Sequence, residues 1–299
     1  MNRSCAAQIP HRLVSVCIAI TFAVASSVGS NHPLSAQQQT VDDSAAQSTA
    51  DSQSNRSQQV RTWLVDGVER QAIVSLPADS QTPPTALVFV FHGHGGTMNR
   101  ALTMFAMDRH WPESIVVSPQ GLRTPGLLTD SDGKKPDWQT SPGQQNDRDL
   151  KFFDAMLASL KQEHNIDQQQ IFATGHSNGA AFCYLLWALR GDTLTATAPS
   201  AGAITLKLRR LLKPKPAMLL AGENDQLVKF AWQQRSIEFV RRLNHCDDQP
   251  TTAGNLHTYP SKLQMPLQAY IHPGGHRFAT EAAPAIAKFF QSQSKPDTP

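Results

Sequence analysis

Charge is scarce in this chain of 299 residues. Asp, Glu, Lys and Arg make up 17% of it, and the net charge is +3. So small a balance gives no electrostatic handle on a polyanion, and nucleic acid is not expected as a partner. The one basic cluster, Arg209-Arg210-Leu211-Leu212-Lys213-Pro214-Lys215, is short and reads as a solvated helix end. Cysteine is scarce as well. There are four, with no Cys-x-x-Cys pair and no His/Cys cluster at metal-ligand spacing, so neither a metal nor any other cofactor is expected. Long hydrophobic runs are missing too. The best candidate, residues 13–28, is short for a membrane-spanning helix. No internal repeat is present.

That apolar run follows a weakly basic start with Arg3, His11 and Arg12, and Leu34-Ser35-Ala36 ends in a small residue. Residues 1–36 are therefore expected to be a signal peptide, cleaved after Ala36, with a retained N-terminal anchor as the alternative. Cys17 follows Val16, where a lipoprotein signal wants a small residue. No membrane span is expected after cleavage, and the protein is expected to be secreted or periplasmic. Export permits a disulfide between the two remaining cysteines, Cys183 and Cys246. Cys183 reads instead as a buried apolar residue. Residues 37–59 are rich in Gln, Ser, Ala, Asp and Thr, lack aromatics, and are expected to form a disordered linker. The folded domain is expected over 60–299, as a monomer.

Within that domain, residues 61–77 read as a hairpin about Asp66-Gly67. Ala86-Leu87-Val88-Phe89-Val90-Phe91 is a continuous apolar run, the mark of a strand covered on both faces. It leads into His92-Gly93-His94-Gly95-Gly96-Thr97, whose glycines let backbone come close to a ligand. Helix is expected over 98–109, strand over 114–118, an aperiodic excursion over 122–145 that carries Trp138, and an amphipathic helix over 147–165. Further strands are expected over 170–174, 195–198, 217–221 and 267–271. Helices are expected over 180–190, 226–243 and 277–291. Strands alternating with helices indicate a mostly parallel sheet with helices on both faces.

Gly175-His176-Ser177-Asn178-Gly179 lies between a strand and a helix, the setting in which a Gly-x-Ser-x-Gly turn lifts its serine clear of the sheet. Asp225 and His276 fall in loops after later strands, on the edge where open α/β sheets bind ligands. The order Ser…Asp…His is that expected of the α/β-hydrolase fold. A neutral imidazole takes the serine proton near pH 7, and a carboxylate behind it fixes its tautomer. His272 is the nearest rival to His276, and Glu223 competes with Asp225. An oxyanion would need main-chain N–H donors, expected from Asn178 and from the glycine loop at His94. Trp138 is a candidate for the substrate pocket.

These residues resemble the secreted esterases grouped with polyhydroxybutyrate depolymerases and feruloyl esterases. The resemblance spans residues 60–290. It rests on His92-Gly93 with Gly95-Gly96, Pro119-Gln120-Gly121, residues 149–153, Gly175-His176-Ser177-Asn178-Gly179-Ala180, Gly222 with Asp225 and Val228, and Gly274-Gly275-His276. It implies an α/β-hydrolase with Ser177, Asp225 and His276 as triad, acting on carboxylic esters without a cofactor. Family members often carry an aromatic and a proline soon after the last histidine; here Arg277-Phe278 follows. Polymer depolymerases often add a substrate-binding domain after the catalytic part. This chain ends soon after the last expected helix, and the substrates expected are feruloyl or acetyl esters on polysaccharide, or short polyester oligomers. A serine peptidase of the same fold and a non-catalytic carbohydrate-binding protein on a hydrolase scaffold are the alternatives.

Overall fold

Strand β3, Thr85–Phe91, is buried along its whole length. Its side chains alternate between two cores. Leu87, Phe89 and Phe91 pack on one face of the sheet, and Ala86, Val88 and Val90 on the other. Period two along a strand requires this when both faces are covered. Each fully buried Leu, Val or Phe contributes about 1.5–3 kcal/mol relative to an exposed one, so the apolar run locates the middle of the molecule. The computed structural model describes residues 56–78, 85–126 and 128–294. The expected signal peptide and residues 37–55 of the expected linker lie outside the described residues.

The sheet has ten strands, in the order β1-β2-β4-β3-β7-β8-β9-β12-β11-β10. From β4 (Ile115–Pro119) through β3, β7 (Ile166–His176), β8 (Ala196–Ser200) and β9 (Ala217–Gly222) to β12 (Leu267–His272), every pairing is parallel. Antiparallel hairpins finish both ends. One is β1 (Ser57–Val65) with β2 (Val68–Leu76), turning at Asp66-Gly67. The other is β10 (Thr251–Ala253) with β11 (Leu256–Tyr259).

One face is covered by α3 (Arg148–Glu163), α4 (Asn178–Arg190) and α6 (Phe230–Leu243), with the short α5 (Leu206–Arg209) beside them. The other is covered by α1 (Met98–Phe105), α2 (Met107–His110) and α7 (Ala283–Gln293). No helix of the described residues is long and apolar enough to cross a membrane.

The structure departs from the sequence reading in several places. β1 begins at Ser57, so 57–59 belong to the sheet and not to a linker; they pair with Leu76, Ser75 and Val74. Arg56 secures this start by donating to Ser75 and to the Ser114 and Pro112 carbonyls. The helix expected over 98–109 breaks at Ala106, which is left-handed with φ 46° and closes α1 by donating to the Leu102 carbonyl. The helix expected from 226 starts at Phe230, because Asp225 holds the intervening turn. The helix expected over 277–291 opens with a 3-10 turn at Thr280–Ala282 and runs as α7 from Ala283. The excursion forms a small ribbon of β5 (Leu122–Arg123) and β6 (Pro136–Asp137). Cys183 and Cys246 are both buried free thiols.

Candidate active site

Ser177 stands between β7 and α4 with φ 58° and ψ −117°. L-residues rarely adopt this conformation, and the surrounding structure must hold it. Two close approaches do so. A β-carbon on Gly175 would lie 2.5 Å from the Gly179 carbonyl oxygen, and one on Gly179 would lie 2.4 Å from that of Phe91. The elbow can be this tight only with glycine on both sides. The Ser177 N–H donates to the Ser200 carbonyl at 2.8 Å, tying the elbow to β8.

The three residues picked out by chain order meet here. Ser177 Oγ lies 2.8 Å from His276 Nε2, and His276 Nδ1 lies 2.8 Å from Asp225 Oδ2. The Asp225 side chain has no exposure, and that of His276 is 25% exposed. A buried carboxylate needs its lone pairs filled. Asp225 Oδ1 accepts from the Leu227 and Val228 N–H groups at 2.9 Å each. Its Oδ2 accepts from Gln233 Nε2 at 2.9 Å as well as from the histidine. The acid is therefore fixed in place by its own loop and by α6. Gln233 carries no motif, and sequence reasoning missed it.

The rivals fall away on geometry. His272 is buried, and its Nδ1 accepts from the Gly274 N–H, so this ring shapes the turn that returns His276 to the sheet. Glu223 is exposed, and no ion pair is found for it among the described residues. Two further imidazoles lie close by. His176 packs against His276 with ring centroids 5.1 Å apart, and burial holds its pKa down to about 4, with the His276 charge adding to the effect. His92 is likewise held down to about 4 by burial. Its Nδ1 lies 2.8 Å from the Gly93 carbonyl, so it donates there, leaving Nε2 to accept from the Gly121 N–H. His92 thus joins the glycine loop to the Pro119-Gln120-Gly121 turn.

The glycine loop reaches the nucleophile. A β-carbon on Gly93 would lie 3.3 Å from that of Ser177. Among the described residues, no acceptor is found for the main-chain N–H of His94 or of Asn178, while the neighbouring Gly95 and Gly96 N–H groups are bonded to the Pro136 and Gly93 carbonyls. The His94 imidazole is turned away into the excursion, with Nδ1 at 2.6 Å from Asp137 Oδ2. Burial pushes the Asp137 carboxyl up to about 6, against the lowering effect of that hydrogen bond.

Trp138 corrects the sequence reading. The ring is 1% exposed, stacked on Phe182 and edge-on to Phe91, and its indole N–H donates to the His92 carbonyl at 2.9 Å. It is a core residue beneath the site and cannot line a substrate pocket. An aromatic in an aperiodic stretch gives no sign of which way it faces.

A hydroxyl on a strained elbow, an imidazole in line with it and a buried carboxylate behind are the parts of a serine hydrolase. No protein-family model matches the chain. It is 26% identical to a probable feruloyl esterase C of Aspergillus flavus over 172 residues, which is 56% of this chain and 60% of that one. It is 25% identical to a bifunctional acetylxylan esterase/xylanase of Neocallimastix patriciarum over 118 residues, 40% of this chain and 17% of that one. The chain thus spans 60% or less of the length of these curated relatives. Among solved structures, the S-formylglutathione hydrolase of Agrobacterium tumefaciens superposes with a TM-score of 0.58 at 13% identity, covering 81% of this chain and 96% of that one. The fold is that of the α/β-hydrolases. In sequence, the chain is similar to feruloyl esterases over about half of its length.

Proposed function

We propose that the protein is an exported serine esterase that hydrolyses carboxylic esters through an acyl-enzyme. The observation that carries the reading is the unbroken chain from Ser177 Oγ through His276 to Asp225, with both contacts at 2.8 Å. In the first half-reaction Oγ attacks the ester carbonyl carbon and its proton passes to His276 Nε2. Asp225 accepts from Nδ1–H and stabilises the imidazolium. The oxyanion is held by the N–H groups of Asn178 and His94. The C–O bond to the alcohol then breaks, and His276 returns the proton to the leaving oxygen. In the second half-reaction His276 takes a proton from water. The hydroxide adds to the acyl carbon, and Ser177 leaves with its proton restored. No cofactor takes part.

Similarity to a feruloyl esterase and to an acetylxylan esterase supports feruloyl or acetyl esters as the substrate class, with short polyhydroxyalkanoate esters as the runner-up. Export rests on the apolar run at 13–28. The test is hydrolysis of p-nitrophenyl acetate, methyl ferulate, acetylated xylan and 3-hydroxybutyrate oligomers, with Ser177→Ala alongside. The variant is expected to lose about 10⁴-fold or more in kcat while unfolding at a similar denaturant concentration. A variant that keeps most of the wild-type rate removes Ser177 from the mechanism.

A further inference from the structure

The excursion over 122–145 contains a cluster that the triad does not use. His94 faces it with both ring nitrogens. Nδ1 lies 2.6 Å from Asp137 Oδ2, and Nε2 lies 3.5 Å from Asp130 Oδ2. Asp130 is itself organised by the loop, accepting from the Lys134 and Lys135 N–H groups at 3.1 and 2.8 Å. Asp137 is deeply buried, and its other oxygen has no partner among the described residues. A buried carboxylate with a single partner is held at a cost, and it holds that partner firmly in turn. The residue after it does similar work. The Trp138 N–H donates to Asn178 Oδ1 at 3.2 Å, and its indole N–H donates to the His92 carbonyl. Two adjacent residues of the excursion thus grip His94 by its side chain, Asn178 by its side chain and His92 by its backbone.

The main-chain N–H groups of His94 and Asn178 have no acceptor among the described residues; Asn178 directly follows Ser177, and His94 follows Gly93, which closes on Ser177. We propose that the Asp137-Trp138 segment braces the oxyanion hole, and that Asp137 is a positioning residue acting through the His94 imidazole. The inference rests on the esterase reading. Its physical basis is that an oxyanion donor is effective only when fixed within a few tenths of an ångström before the charge develops. His92 anchors the start of the glycine loop, and the residues after it are mostly glycine. Gly93, Gly95 and Gly96 leave His94 as the handle. Tying that handle to Asp137 makes donor geometry depend on a loop outside the triad.

The test compares Asp137→Asn, His94→Ala and the double variant on p-nitrophenyl acetate, in the full-length protein. Asp137→Asn and His94→Ala are each expected to lower kcat roughly 10–100-fold with KM changed less than about 2-fold, because the interaction matters when the oxyanion forms. In the His94→Ala background, Asp137→Asn should change kcat by less than about 2-fold. Inhibition by a methyl trifluoromethyl ketone, whose adduct carries an oxyanion, should weaken in step with kcat/KM. A wild-type kcat in His94→Ala overturns the proposal even if Asp137→Asn fails to fold, and so does an equal loss from Asp137→Asn in both backgrounds. If wild type and Ser177→Ala are alike inactive, the esterase reading fails and this inference falls with it. If wild type turns over, Ser177→Ala does not, and Asp137→Asn matches wild type, this inference alone fails.

Discussion

The backbone of Ser177 makes a prediction whose sign is unusual. At φ 58° and ψ −117° the residue stores about 1–3 kcal/mol of strain. Alanine at this position keeps the β-carbon, and so keeps the strain, while losing the 2.8 Å hydrogen bond to His276. That loss is worth about 0.5–1.5 kcal/mol. Glycine loses the same bond but releases the strain. Against this, glycine has a more disordered unfolded state, which offsets about 0.5–1 kcal/mol. The hydrogen bond cancels between the two variants. What remains is strain less glycine entropy, so Ser177→Gly should be more stable than Ser177→Ala by about 1 kcal/mol, within a range of roughly 0–2.5. At an ordinary site the order is reversed. Urea titrations of both variants with equal slopes would give the difference directly, and thermal midpoints should differ by about 2–4 °C per kcal/mol in a domain of this size. Both variants lack the hydroxyl, so activity plays no part in the comparison. If the alanine variant is as stable as the glycine variant or more so, the elbow is not strained and the argument is wrong.

Two other outcomes are expected. Gly179→Ala places a β-carbon 2.4 Å from the Phe91 carbonyl oxygen and 2.6 Å from that of His92, both main-chain atoms of the central strand and its loop. It should cost about 3 kcal/mol or more, and a wild-type urea midpoint would contradict this. The fold should also weaken in acid. His92 and His176 have folded pKa values lowered to about 4, so the unfolded chain binds their protons first and stability falls as pH drops from about 6.5 towards 4. Asp137, raised to about 6, works the other way over part of the same range. Two groups against one leave a net loss on the order of 3–4 kcal/mol at pH 4. Urea midpoints at pH 7 and pH 4.5 would measure it, and equal midpoints would show that these imidazoles are not buried neutral.

The parts of the molecule that were legible share a cause. The apolar runs 86–91 of β3 and 171–173 of β7 are buried, and a doubly covered strand accounts for Phe89 and Phe172 in such company. Ser177, Asp225 and His276 could be found because each lies just past a legible strand. What was not legible depends on tertiary partners. Ser57-Gln58-Gln59 is polar and exposed, and becomes strand because Val74, Ser75 and Leu76 lie opposite. Ala106 is a good helix former, yet it is left-handed there and ends α1. Thr251–Ala253 and Leu256–Tyr259 surround Gly254-Asn255, a usable turn, but both are too short to stand out. The carboxylates on His94 come from Asp130 and Asp137, in a stretch whose shape no periodicity describes.

The order in which the site is assembled along the chain has a consequence for how the protein comes into being. Ser177 and His276 are 99 residues apart, and Asp225 and His276 are 51 apart. His276 hangs on the loop after β12, which pairs in parallel with β9 and antiparallel with β11. A chain released up to α6 holds Ser177 and Asp225 but not His276, the base of the proposed mechanism. Parallel pairings over such separations close late, since the loop entropy must be met before the contacts repay it. On the proposed mechanism, hydrolytic power arrives with the last strand and not gradually, and its recovery during refolding is a clock for the final docking step.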